Sequence, residues 1–363
     1  MKQQTMPELK IGDLRIKIPI IQGGMAVGIS LSGLASAVAN AGGAGVIATA
    51  GIGMMEPDFD TDFKQANQRA LRKEIRKARK LTKGIIGVNI MVALSDFKEM
   101  VRIAVEEEAD LVLLGAGLPL KDLEILIPKH PAEKKPKVIP IVSSSRAAKI
   151  IFQYWQKNYR HIPDAIVLEG PLAGGHLGFK REQINHPNSA LEKILPEIIS
   201  VLKPYEKDFN KKIPVIVAGG IYTGADIFHY FQLGAQGVQM ATRFVATNEC
   251  DASQQFKQTY IDCNKNDLVI INSPVGLPGR AIKNQFLQEV FEGNKKPFRC
   301  YWRCLKTCDF KTAPYCIASA LTHAQKGNFK NGFAFAGANA YRVNKIIPVE
   351  ELMVSLVEEY QRQ

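Results

Sequence analysis

The stretch VIVAGGIYTGADIFHYFQLGAQGVQMATRF (Val215–Phe244) decides the fold. Val215-Ile216-Val217 is a β-branched run stopped by Gly219-Gly220. Gly224-Ala225-Asp226 opens a helix with Ile227 and Phe231 on its apolar face. Gly237–Met240 reads as a second strand, closed by Ala241-Thr242. Two parallel strands ending in small residues aim backbone N–H groups at one point, with no Cβ in the way. In a (β/α)₈ barrel the phosphate site lies in the loops after strands seven and eight. An ordinary βαβ unit with glycine turns has the same local pattern, so the rest of the chain must choose.

Upstream, strand-sized apolar runs alternate with helical segments. The strands are expected at Ile18–Ile21, Gly45–Ala48, Ile85–Met91, Leu111–Leu114, Val138–Val142 and Ala165–Leu168. Helices are expected at Leu31–Asn40, Phe63–Leu81, Asp96–Glu108 with Ser95 as N-cap, Ser143–Lys157 and Ala190–Leu202. With the opening stretch this makes eight apolar strands, which predicts an α/β protein, a closed parallel TIM (β/α)₈ barrel. Gly23-Gly24 is no G-x-G-x-x-G fingerprint, which argues against a dinucleotide-binding open sheet. After Asn248 the rhythm breaks. Residues 1–247 are expected to form the barrel and 248–335 a smaller helical lid, with Ile270–Gly279 a turn-rich stretch. Residues 336–363 are expected to return to the barrel wall through an amphipathic helix.

The barrel reading gathers the strand ends at one mouth. Gly23, Gly24, Met25, Asn89, Glu169, Gly174, Gly175, Ala218, Gly219, Gly220, Gln239, Met240, Ala241 and Thr242 are the candidate cofactor-binding residues. Most are small and leave room for a flat ring, Asn89 can bond a heterocycle edge, and the glycines suit a phosphate. A mononucleotide such as FMN fits this set. His176, between Gly174-Gly175 and Gly178, is the candidate catalytic group, because an imidazole titrates near neutrality. No G-x-S-x-G elbow or carboxylate pair competes with it.

The net charge of +12 is concentrated in RALRKEIRKARKLTK (Arg69–Lys83), with eight basic residues against Glu74. A solvated helix face is the simpler reading, and docking of an acidic partner the functional one. No stacking aromatics accompany the charge, so no nucleic-acid partner is expected. The uncharged run Ile18–Met55 contains nine glycines and reads as buried barrel, not a membrane span. The first ten residues hold no apolar signal region, so a cytoplasmic location is expected. Cys300, Cys304, Cys308 and Cys316 lie within seventeen residues. If helical, the first three share a face, and four thiolates suit zinc or an iron–sulfur cluster, although the spacing matches neither the C-x₂-C zinc pattern nor the ferredoxin runs. Buried free thiols are the alternative.

In combination, PIIQGGM (Pro19–Met25), GVNI (Gly87–Ile90), EGPLAGGHLG (Glu169–Gly178), PVIVAGGI (Pro214–Ile221) and GAQGVQMATRF (Gly234–Phe244) resemble the nitronate monooxygenase (2-nitropropane dioxygenase) family. The resemblance implies a TIM barrel with non-covalent FMN and makes His176 the active-site histidine. It implies oxidation of a nitronate by O₂ to a carbonyl compound and nitrite. Some members carry a lysine after strand five, where this chain has Ile141-Val142-Ser143-Ser144. The related flavin-type enoyl-acyl-carrier-protein reductases share the barrel and the GGH element. They imply the alternative of NAD(P)H-dependent reduction of an enoyl thioester or quinone, and their acidic carrier protein suits the basic helix. A flavin- or cluster-binding module without turnover is the reading from another class. An oligomer is compatible with all three.

Overall fold

The computed structural model describes residues 4–130 and 133–363. Its thirteen strands are β1 (Leu9–Ile11), β2 (Leu14–Ile16), β3 (Ile20–Gln22), β4 (Ala44–Ala48), β5 (Ile85–Met91), β6 (Leu111–Gly115), β7 (Lys137–Val142), β8 (Ile166–Glu169), β9 (Gly175–His176), β10 (Val215–Ala218), β11 (Gly237–Met240), β12 (Leu268–Asn272) and β13 (Pro278–Ile282). The helices are α1 (Ser32–Asn40), α2 (Phe63–Leu81), α3 (Phe97–Glu106), α4 (Ser145–Tyr159), α5 (Leu191–Asp208), α6 (Gly224–Gln232), α7 (Thr242–Val245), α8 (Gln254–Ile261), α9 (Gln285–Phe291), α10 (Ile317–Gln325) and α11 (Val349–Gln361).

Eight parallel strands close a barrel in the order β3-β4-β5-β6-β7-β8-β10-β11, with β11 returning to β3. The strands are apolar on both faces because each face has its own core. Val46, Leu111, Leu113, Ile139, Val167, Ile216 and Ala218 fill the barrel interior. Their neighbours Ile47, Val112, Leu114, Val138, Leu168, Val215 and Val217 face the helices. This alternation follows from the two-residue period of a strand.

The hairpin β1–β2, which the apolar-run reading did not anticipate, plugs one end. Leu9, Ile11 and Ile16 are fully buried or nearly so and join the interior cluster. A Cβ on Gly237, the first residue of β11, would stand 2.8 Å from Leu9. The plug therefore lies at the strands' N-terminal ends and leaves the C-terminal ends as the open mouth. Helix α11 does return to the wall, packing on α6 and α1, with Tyr360 edge-on to Phe228 and Phe231.

The segment after α7 crosses the mouth. Its helices are α8, α9 and α10, but Ile270–Gly279 is not a run of turns. It contributes to the hairpin β12–β13, and β13 pairs antiparallel with β9. Asp251 from this segment accepts hydrogen bonds from the Leu31, Gly33 and Leu34 N–H groups at 2.8, 3.1 and 3.1 Å. These are groups that the start of α1 leaves without helical partners, so the bonds tie the crossing segment to the barrel. Ser95 is not the N-cap of α3; Asp96 holds that position, and Ser95 is used elsewhere, as described below. Among the described residues, no helix is long and apolar enough to cross a membrane.

Candidate active site

A cavity of about 320 Å³ opens at the C-terminal ends of the barrel strands. Every candidate cofactor residue named from the sequence lines it: Gly23, Gly24 and Met25 after β3, Asn89 on β5, Glu169 on β8, Gly174 and Gly175, Ala218 to Gly220, and Gln239 to Thr242. His176 lines it too.

Two close approaches explain the glycines. A Cβ on Gly24 would lie 2.4 Å from the Asn89 Cβ, so only a glycine lets β3 pass that side chain. Gly219 and Gly220 have φ of +94° and +89°, a left-handed region that other residues rarely adopt. The turn exposes backbone: the N–H groups of Gly219, Gly220, Ala241 and Thr242 donate to no backbone carbonyl among the described residues. Neighbouring bonds hold this corner from behind. Asn339 donates to the Gly220 carbonyl at 2.6 Å, and the Gly337 N–H donates to Thr242 Oγ1 at 3.2 Å.

His176 is positioned by the crossing segment. Its strand β9 is aligned by Gly279 opposite His176 and Arg280 opposite Gly175. Its Nε2 lies 2.7 Å from Ser273 Oγ, and its ring stands edge-on to Phe335 with centroids 5.0 Å apart. The Arg280 guanidinium is buried and donates to the Pro171 and Ala173 carbonyls, both at 2.7 Å. It fixes the glycine loop that leads into the histidine. Burial lowers the His176 pKa to about 4, so the ring is neutral at physiological pH. Burial has the opposite effect on Glu169, raising its carboxyl to about 7. The two groups face one cavity with their titrations pushed apart, a pattern common at catalytic sites.

Ser273, Tyr260, Phe335 and Trp302 were not legible as site residues. They sit in a stretch with no strand-end pattern and reach the mouth only through the β12–β13 hairpin and its neighbours. The cysteine run departs from expectation as well. It is not helical, so its thiols do not share a helix face. Zinc would need ligands within about 4 Å of one another, given Zn–S bonds of about 2.3 Å. Among the described residues, no three His, Cys, Asp or Glu side chains could hold a single ion. The zinc expectation is therefore not met.

The basic helix α2 is largely neutralised. Arg72 pairs with Glu106 and Glu107, Arg76 with Glu107, Arg79 with Asp110, Arg69 with Asp58 and Lys73 with Glu56. The hydrogen bond from Arg76 and the neighbouring Arg72 keep the Glu107 carboxyl below its usual range. These arginines tie α2 to α3 and the loops near it.

A parallel barrel with a glycine-walled cavity at its mouth and a buried histidine beside it is an arrangement suited to a flavin-dependent oxidoreductase. The nitronate monooxygenase family model matches residues 8–110 and 95–359, and the chain belongs to that family. A probable nitronate monooxygenase of Staphylococcus aureus (strain MSSA476) is 29% identical over 310 residues, covering 77% of this chain and 80% of that one. FabK from Thermotoga maritima superposes with a TM-score of 0.72 at 28% identity, covering 95% of this chain and 93% of that one. Nitroalkane oxidase from Streptomyces ansochromogenes shares the fold, with a TM-score of 0.70 at 20% identity over 95% and 96% of the two chains.

Proposed function

We propose that the protein is an FMN-dependent nitronate monooxygenase that oxidises small alkyl nitronates. The observation that carries this reading is the single neutral histidine on the wall of a largely apolar cavity that also holds a glycine corner suited to a phosphate. The residues fit FMN. Gln239 Oε1 is buried with no hydrogen-bond partner and lines the cavity, so it lacks the donor that a flavin ring N–H provides. The exposed N–H groups around Gly219 and Ala241 suit a phosphomonoester, and Met25 and Asn89 suit the ring. When bound, the flavin supplies the redox chemistry.

The protein's own groups handle binding and protons. His176 takes the α-proton of a neutral nitroalkane, or donates a hydrogen bond to a nitronate already formed. With Nε2 on Ser273 Oγ, the remaining Nδ1 accepts in one neutral tautomer and donates in the other, so it serves either task. Ser273 holds the ring orientation. Phe335, Leu305 and Ile317 give the cavity apolar walls, which suits an alkyl group and keeps water out.

Reduction by NAD(P)H is the second reading, favoured by the whole-chain likeness to FabK. Its acidic carrier partner is less well served, because the arginines of α2 are already paired. Anaerobic stopped-flow mixing separates the two readings. Rapid flavin bleaching by an alkyl nitronate, with slow bleaching by NADPH, is expected. Fast reduction by NADPH with none by nitronate overturns the proposal.

In Gly24→Ala the new methyl group must displace Asn89, an overpacking that costs about 1–3 kcal/mol. Flavin affinity is expected to fall roughly 10- to 100-fold, measured by titrating flavin-free protein with FMN. Unchanged affinity would remove the β3–β5 wall from the flavin site.

A further inference from the structure

We propose that Cys300, Cys304, Cys308 and Cys316 are the ligands of an iron–sulfur cluster seated beside the flavin cavity. All four line one second cavity of about 280 Å³, and none is in a disulfide. The chain places them there without a helix. Cys316 is the N-cap of α10. The loop that carries the other three is fixed to the barrel: the Ser95 N–H and Oγ–H donate to the Cys304 carbonyl at 3.0 and 3.3 Å, and the Lys306 N–H donates to the Ala93 carbonyl at 2.9 Å. Leu94 and Leu305 pair as an isolated bridge between them. Four thiols that line one cavity, with no three of the described His, Cys, Asp or Glu residues grouped to hold a single ion, suit a polynuclear centre in which each cysteine binds a different iron.

Binding iron releases the thiol protons and leaves thiolate ligands. Arg303 and Lys306 line the same cavity and offset the negative charge of a thiolate-held cluster. The Trp302 indole N–H is buried with no partner, and hydrogen bonds to sulfur are a known way of tuning such centres. Trp302, Cys304, Leu305, Ile317 and Ala318 line both cavities, so the cluster stands one side chain away from the flavin cavity.

The test uses the full-length chain, purified anaerobically and incubated with ferrous iron, sulfide and a thiol reductant before desalting. Equal amounts of iron and acid-labile sulfide are expected, roughly four of each per chain. A broad long-wavelength absorption that bleaches with dithionite should accompany them. In the Cys300→Ser, Cys308→Ser double variant the bound iron should fall at least tenfold, with the far-ultraviolet circular dichroism unchanged. Wild-type protein that takes up no more iron than the double variant, or that holds zinc and excludes iron, overturns the proposal. The readout is metal content, so it stands or falls apart from the nitronate reading.

Discussion

A His176→Asn variant is expected to lose about 10²- to 10⁴-fold in kcat/KM for a neutral nitroalkane, the usual contribution of a positioned general base. With a preformed nitronate the loss should be much smaller, because no proton has to be removed. Asparagine keeps a polar group where Nδ1 stood, stops short of the Nε2 contact with Ser273, and has no basic nitrogen. Flavin content should not change, since the substitution alters one side chain and leaves the glycine backbone of the cavity wall in place. The pH dependence follows from the lowered pKa. Burial brings His176 to about 4, and the reaction needs the neutral ring. Activity that depends on it is therefore present above that value and is lost as pH falls through about 4. An anionic nitronate beside the ring favours the imidazolium and shifts this limb upward. Steady-state kinetics with both substrates, from acid to neutral pH, check all of this. Nitroalkane turnover within threefold of wild type would remove His176 as the base.

What could be read from the sequence was whatever repeats locally. Each barrel strand is a short apolar run with small or polar residues at its end, and the fold turns every such end toward one mouth. Gly23, Asn89, Glu169, Gly219 and Thr242 therefore fell together on the cavity wall although each signal was weak alone. What could not be read lies in pairings between distant segments. Ser273 reaches His176 across 97 residues of sequence. Arg280 grips Pro171 and Ala173 from 109 and 107 residues away. The turn-rich look of Ile270–Gly279 hid two strands because Ser273, Pro274 and Gly276 mark the hairpin's tip and say nothing about its arms. Similarly, the cysteine spacing suggested a helix face, yet the four thiols meet around a cavity through a loop. The β1–β2 hairpin escaped notice because its strands are three residues each, shorter than any periodicity can show.

Glu169→Gln is expected to stabilise the flavin-free protein at alkaline pH and not at acid pH. The Glu169 carboxyl titrates at about 7 in the folded protein against an ordinary 4.5. Between these values the folded state holds a proton that the unfolded state has released, so stability falls as pH rises through the window. The difference, 7 minus 4.5, corresponds to about 3 kcal/mol once the carboxyl is fully ionised. Glutamine stays neutral throughout and escapes that cost. His176 has the opposite sign. Its folded pKa of about 4 lies below the ordinary 6.5, so the unfolded state binds the extra proton and stability falls as pH drops through that range. In the wild type the two slopes oppose each other between 4.5 and 6.5 and nearly cancel. The glutamine variant keeps only the histidine slope, about 1.4 kcal/mol per pH unit. Urea denaturation of both proteins across this range and up to pH near 8 measures the difference directly. A gap between variant and wild type that does not widen with rising pH would mean that the Glu169 carboxyl finds a hydrogen-bond partner or solvent that stabilises its charge. In that case the cavity would hold one perturbed group, His176, and not an opposed pair.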